Sequence, residues 1–113
     1  MNQSTLFKLE RLLYRLQGRE AVRCTLKQWG TMMAEEDRKV GDEMVGDTHI
    51  STVFLGVDHG HNGGKPTLFE TMVFEPGGDS VRCHRCSTWD DAEKMHQTMV
   101  ELIREEQSQD GMD

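Results

Sequence analysis

Residues 49–74 constrain the fold of this chain more than any other segment. They contain two apolar runs, 50–57 and 68–74, which are rich in β-branched and aromatic residues and are separated by a loop rich in Gly, Asp and His. Residues of these types favour strands, and the dense Gly and Pro between the runs excludes one continuous helix. The segment therefore predicts a β-hairpin at the centre of the fold, with a polar cluster at its tip.

The N-terminal region allows two interpretations. Residues 4–16 carry leucines at helical spacing and end shortly before Gly18, which predicts a helix. The alternative is a strand at 12–16, a turn at 17–18 and a second strand at 21–24. Local signals do not decide between the two.

Elements on either side of the hairpin are more clearly marked. Thr25 and Gln28 form a capping box that predicts a helix over 26–36. Alternating polar and apolar residues predict a partly exposed strand over 39–45. A Pro-Gly-Gly-Asp turn at 76–79 precedes a polar edge strand over 81–86, whose charged residues discourage pairing with other chains.

The clearest helix begins at Thr88, which resembles a cap, and its first turn contains two aspartates that suit the helix dipole. The apolar stripe of this helix comprises Ala92, Met95, Met99 and Ile103, widened by His96 and Val100. We interpret His96 as a packing residue. After Arg104 the acidic segment 105–113 is predicted to be a flexible tail.

Together these elements predict one α+β domain over residues 1–104. An antiparallel meander of three or four strands packs against two or three helices in two layers. If one sheet face stays uncovered, some of four apolar residues become exposed and mark a partner or dimer interface. These residues are Phe54, Phe69, Met72 and Phe74.

The charge and cysteine content narrow the function classes. The net charge is −7, but residues 1–28 carry six basic and two acidic side chains, whereas the other 85 residues carry seven basic and eighteen acidic ones. A globally acidic surface repels phosphate, so direct nucleic-acid binding is not expected. We also expect no membrane segment, no export leader and three reduced cysteines, hence a soluble protein in the cytoplasm of a host cell.

Two kinds of chemistry are suggested by the polar residues. Zinc prefers thiolate and imidazole ligands, and a site can be assembled from His59, His61, Cys83 and Cys86, although two strand residues three apart project to opposite faces. A hydrolytic site would use Asp58, His59 and His61, with Glu70 nearby and Ser51, Thr52 or Cys86 as nucleophile. The same loop residues also suit a structural turn, and Gly63, Gly64 and Lys65 do not form a phosphate loop because Pro66 and a strand follow.

Residues 50–74 and 87–100 resemble a group of small proteins from bacteriophages, prophages and bacterial genomes. The shared pattern is STVFLGxDH, a Gly-rich loop, LFETMVF and then TWxxAE before a closing helix. Asp58, His59, Glu70 and Trp89 match it, whereas Cys83, Cys86 and His61 are not part of it and residues 1–20 are not covered. The resemblance implies a phage-associated context and a compact α+β domain, and it brings no established activity.

We therefore expect a non-enzymatic accessory protein that binds a host or phage protein. Inhibition of a host defence system, as anti-CRISPR-like proteins achieve, is one form. The candidate binding residues are acidic, together with the hairpin tip: Glu35, Glu36, Asp37, Asp42, Glu43, Asp47, Asp58, His59 and His61. The alternatives are a metal-binding or hydrolytic protein that uses the hairpin loop, with zinc as its cofactor, and a homodimer formed through the sheet.

Overall fold

An antiparallel sheet of four strands, joined in chain order, forms the centre of the computed structural model, which describes residues 1–60, 64–78 and 81–110. A separate two-stranded sheet precedes it. The elements in chain order are α1 (Gln3–Glu10), β1 (Tyr14–Gln17), β2 (Glu20–Arg23), α2 (Leu26–Glu35), β3 (Lys39–Val45), β4 (Thr48–Phe54), β5 (Phe69–Phe74), β6 (Val81–Cys86) and α3 (Trp89–Asp110). The predicted two-layer α+β fold is confirmed.

The predicted central hairpin is formed by β4 and β5. Their register runs from His49 opposite Phe74 to Phe54 opposite Phe69. Strand β4 ends earlier than predicted, because Gly56 has a φ of 76° and turns the chain. The predicted strands over 39–45 and 81–86 flank the hairpin as the two edges of the sheet.

One face of the sheet packs against α3. The residues of β4 and β5 alternate between buried and half-exposed positions, as expected when only one face is covered. On the helix, the predicted stripe is buried at Ala92, Met99, Val100 and Ile103. Helix α2 begins at its predicted capping box, but it places Met32 against Tyr14 and Phe54 at one end of the core instead of covering the sheet.

The predicted helix over 4–16 is wrong in its second half. Helix α1 ends at Glu10, and β1 and β2 form a hairpin close to the alternative interpretation. A positive φ at Gly18 alone indicates a type II′ turn. The reason is tertiary: the Tyr14 N–H donates to the Gly56 carbonyl at 2.9 Å, and the Asp58 N–H donates to the Leu12 carbonyl at 2.9 Å. Pairing with residues distant in sequence overrides the local leucine spacing.

The chain beyond Arg104 is also different from the prediction, because α3 continues as a regular helix to Asp110. Two contacts hold this last part against the sheet. Arg82 donates two hydrogen bonds to the Glu106 carboxylate, at 2.7 and 2.9 Å, and a further one to Glu75 at 3.0 Å. Gln107 donates to the Val45 carbonyl at 2.7 Å.

Among the described residues, no helix combines the length and hydropathy that crossing a bilayer requires.

We expect Arg82→Met, which keeps the aliphatic length, to lower the free energy of unfolding by roughly 0.5–1 kcal/mol at pH 7, a value limited by solvent screening. The hydrogen bond from Arg82 lowers the pKa of Glu106. A lowered pKa contributes stability above the unfolded value and loses it as the pH falls through the folded value. The difference from the wild type in urea unfolding should therefore shrink as the pH falls below about 4.3, the ordinary pKa of a glutamate. A pH-independent difference, or an equal loss in the exposed Lys94→Met control, would refute this assignment.

Candidate functional site

The sheet face opposite α3 is not covered by any element of the described chain, and we call it the outer face. Because adjacent residues of paired strands share a face, the register assigns three residues per strand to it. These are Lys39, Asp42 and Met44 of β3, His49, Ser51 and Val53 of β4, Glu70, Met72 and Phe74 of β5, and Val81, Cys83 and Arg85 of β6.

One end of the outer face is apolar. Met44, His49, Phe74 and Val81 lie side by side across the four strands. Met44 is 61% exposed, Phe74 40% and Val81 47%, and the His49 ring stacks on Phe74 with 5.6 Å between ring centroids. Of the four residues considered for an uncovered face, Met72 and Phe74 lie on it, whereas Phe54 and Phe69 are fully buried beneath α3.

The charged side chains of the outer face are paired with one another. Lys39 lies 3.1 Å from Asp42, and Arg85 lies 2.8 Å from Glu70. Hydrogen bonds from His49 and then Lys39 lower the pKa of Asp42, and the hydrogen bond to Glu70 raises the pKa of Arg85. With two basic and two acidic residues, the face carries no net formal charge, in contrast to the acidic chain as a whole.

The two cysteines of the zinc hypothesis lie on opposite faces of β6, as their spacing indicated. The Cys83 thiol donates to Glu70 at 3.4 Å on the outer face, and the Cys86 thiol donates to the Thr88 carbonyl at 3.8 Å. Burial raises the pKa of both thiols, so neither is an activated thiolate. His61 lies outside the described residues, and within residues 1–60, 64–78 and 81–110 no three His, Cys, Asp or Glu side chains form a metal-binding group.

The Asp58 carboxylate has a structural role at the mouth of the central hairpin. Its Oδ1 accepts hydrogen bonds from the N–H groups of Gly60 and Thr67, at 2.8 and 2.9 Å. The half-buried His59 donates its N–H to the Thr67 carbonyl at 3.1 Å. These contacts hold residues 58–60 against residue 67, which is the role that Asp and Gly commonly have in turns. Glu70 is instead bound to Arg85.

The acidic candidate residues do not share one surface. Glu35, Glu36 and Asp37 are exposed where α2 ends, whereas Asp47 lies in the turn at the far end of β3. Asp42 and Glu43 are consecutive strand residues that project to opposite faces: Asp42 pairs with His49 on the outer face and Glu43 with His96 beneath α3.

Beneath α3 lies a buried polar network that sequence reasoning missed. The hydroxyls of Thr52 and Thr71 are hydrogen bonded to each other, Thr52 Oγ1 lies 2.7 Å from His96 Nδ1, and His96 Nε2 lies 3.0 Å from Glu43. Hydroxyl, imidazole and carboxylate also occur in acyl-transfer triads. In those triads the hydroxyl contacts Nε2 of the histidine, whereas here the Thr52 hydroxyl contacts Nδ1. Thr52 is also fully buried, so the network is placed to stabilise the fold and not to attack a substrate.

An aromatic cleft of about 470 Å³ lies between the β1–β2 hairpin, residues 65–69 and the start of α3. The apolar part of its lining consists of Tyr14, Ala21, Pro66, Leu68, Phe69 and Trp89. Arg19 lies over the Trp89 ring, 5.7 Å from its centroid, and 3.5 Å from Glu93. One wall comes from the N-terminal hairpin, which the sequence left open as an alternative to a helix, so the sequence did not predict this cleft.

Comparisons with protein-family models, with curated proteins and with solved structures found no match to this chain. The function must therefore be inferred from the surfaces described above.

Proposed function

We propose that this protein is a small accessory protein of bacteriophage type that acts by binding another protein through its outer face. The observation that carries the proposal is the apolar row of Met44, Phe74 and Val81, exposed together on an uncovered sheet. Contiguous exposed apolar residues mark interaction surfaces in small proteins. The bacteriophage context is the part of this proposal that rests on the sequence pattern of residues 50–74 and 87–100.

The charge pattern of the outer face supports a protein partner. Burying unpaired charges is costly, whereas the Lys39–Asp42 and Arg85–Glu70 pairs already compensate each other. The acidic remainder of the surface repels nucleic acid and accelerates encounter with a basic protein. We therefore propose a basic host or phage protein as partner, with a component of a host defence system as one form.

The size of the face sets the kind of interface. Four strands about 4.8 Å apart and six residues long cover roughly 19 by 20 Å, or about 400 Å². A standard interface buries about 800 Å² on each partner. The outer face alone thus suits a transient complex, or it forms the apolar centre of a larger interface that includes neighbouring loops.

The experiment compares three tagged full-length chains in lysates of uninfected and phage-infected hosts. The double variant Phe74→Ser with Val81→Ser should recover at least about tenfold less partner than the wild type, since central apolar anchors contribute above about 1.4 kcal/mol. Phe7→Ser removes an aromatic residue that is 65% exposed on α1 and should leave recovery unchanged.

Equal recovery by all three chains, or no partner in either lysate, would contradict the proposal. Light scattering at two concentrations shows whether the partner is a second copy of the chain. About one metal ion per chain in protein purified without chelator would instead favour a metal-binding function for the hairpin loop.

A further inference from the structure

The aromatic cleft adjoins a strand whose outer edge is open. Strand β2 pairs with β1 alone among the described strands. An open edge presents main-chain N–H and C=O groups to any extended chain that approaches it. The register of the β1–β2 hairpin identifies Ala21 and Arg23 as the residues whose main-chain groups are available at this edge.

The register shows which main-chain groups point outward. Gln17 and Glu20 flank the two-residue turn, so they form a hydrogen-bonded pair. Hydrogen-bonded and non-hydrogen-bonded pairs alternate along an antiparallel ladder, so the next pair, Leu16 and Ala21, is a non-hydrogen-bonded one. The N–H and C=O of Ala21 therefore point away from β1, and those of Arg23 do the same. The opposite edge agrees, because Tyr14, the partner of Arg23, donates its N–H outward to Gly56.

We propose that β2 binds an extended peptide segment of another protein by strand addition, and that the cleft receives one large apolar side chain of that peptide. Residues side by side in a sheet point to the same face. A peptide residue beside Ala21 therefore directs its side chain to the side on which Ala21 lines the cleft. Strand addition with a side-chain pocket is an established mode of peptide recognition.

The walls of the cleft select the chemistry of that side chain. The half-buried Ala21, Pro66 and Trp89 supply the accessible apolar surface, backed by the buried side chains of Tyr14, Leu68 and Phe69. A volume of about 470 Å³ lies in the range of small-ligand sites. An aromatic side chain makes the best use of such walls, because it buries a large apolar area at low entropic cost.

The charges at the rim of the cleft balance one another and so favour no strongly charged ligand. It contains two basic residues, Arg19 and Lys65, and two acidic ones, Glu20 and Asp90. Nucleotides and polyphosphates would face two carboxylates, and polyamines would face two cations. A peptide with an apolar anchor and weakly charged flanks avoids both conflicts, which is why we assign the site to a peptide. This site is separate from the outer face and does not depend on the function proposed for it.

The test uses the ¹⁵N-labelled full-length chain and two capped pentapeptides, Ser-Thr-Phe-Thr-Lys and its counterpart with Ala in place of Phe. We expect the Phe peptide to shift the main-chain amide signals of Ala21 and Arg23 and the indole signal of Trp89. It should bind at least about tenfold more tightly than the Ala peptide, since burying an aromatic side chain is worth more than 1.4 kcal/mol.

Two variants separate the edge from the cleft. Ala21→Pro removes an outward N–H but no ladder bond to β1, so it should weaken both peptides at least about fivefold with the fold retained. Ser87→Leu narrows the cleft and should remove the preference for Phe, even if Ala21→Pro fails to fold. Phe7→Ser is the matched control and should bind as the wild type does. The inference is overturned if neither peptide shifts these signals at millimolar concentration, or if the preference for Phe survives in Ser87→Leu.

Discussion

Replacing Phe69 by alanine should lower the free energy of unfolding by about 3–5 kcal/mol, the range for removing a buried aromatic ring. Phe69 is fully buried. Its ring lies 5.2 Å from the Phe54 ring and 6.2 Å from the Trp89 ring, measured between centroids. Loss of this side chain thus leaves a cavity between the central hairpin and α3. Typical domains have only about 5–15 kcal/mol of stability, so the variant should be marginal in urea unfolding.

The same strand provides the control. Phe74→Ala removes an identical side chain from the outer face, where Phe74 is 40% exposed, and we expect a loss below about 1 kcal/mol. The comparison tests directly which face of β5 is buried. Equal losses at the two positions would mean that the outer face is covered, or that the assigned register is wrong.

The central sheet and α3 were predictable because their signals are local. The two apolar runs of the hairpin, the Pro-Gly-Gly turn and the capping residue Thr88 each act within a few residues of the chain. Side chains along a strand point alternately to its two faces, so Phe69 lies on the opposite face from Met72 and Phe74. The sequence alone could have shown this grouping once the strand was predicted.

The N-terminal region and the end of α3 were not predictable, because distant contacts determine them. Leucine spacing in residues 4–16 describes a helix equally well, and the strand is selected by its pairing with β2 and by hydrogen bonds to residues 56 and 58. Likewise, the acidic composition after Arg104 suggests fraying, whereas Arg82 and the Val45 carbonyl hold Glu106 and Gln107. Neither partner is recognisable from the segment itself.

The candidate surfaces, like the N-terminal region, depend on contacts between residues that are distant in sequence. Met44, Phe74 and Val81 come from three strands, and their alignment in one row depends on a register that the sequence does not state. The cleft depends on the hairpin that the helix prediction concealed. The buried network joins Thr52 and His96, which are 44 positions apart, and each looks unremarkable in its own segment.

Replacing Thr52 by valine should lower the free energy of unfolding by about 2–4 kcal/mol, although the two side chains have nearly the same shape. The hydroxyl of Thr52 lies between the Thr71 hydroxyl and His96 Nδ1, and both threonines are fully buried. One direction of donation satisfies every group: Thr71 donates to Thr52, Thr52 donates to Nδ1, and Nε2–H donates to Glu43. Without Thr52 Oγ1, two buried polar groups have no partner, and each costs about 1–3 kcal/mol.

A double-mutant cycle separates this network effect from simple packing. Thr71→Val alone should cost about 1 kcal/mol, because Thr52 keeps its bond to His96. In the double variant the orphaned Thr71 hydroxyl is also gone, so the combined loss should fall short of the sum by about 1–2 kcal/mol. Ser51→Ala, a half-exposed neighbour on the outer face, is the control and should stay within about 0.5 kcal/mol of the wild type. Strictly additive losses in urea unfolding would show that the two hydroxyls act independently. Additive losses would also mean that the hydrogen bond between the Thr52 and Thr71 hydroxyls does not contribute to the pairing of β4 with β5.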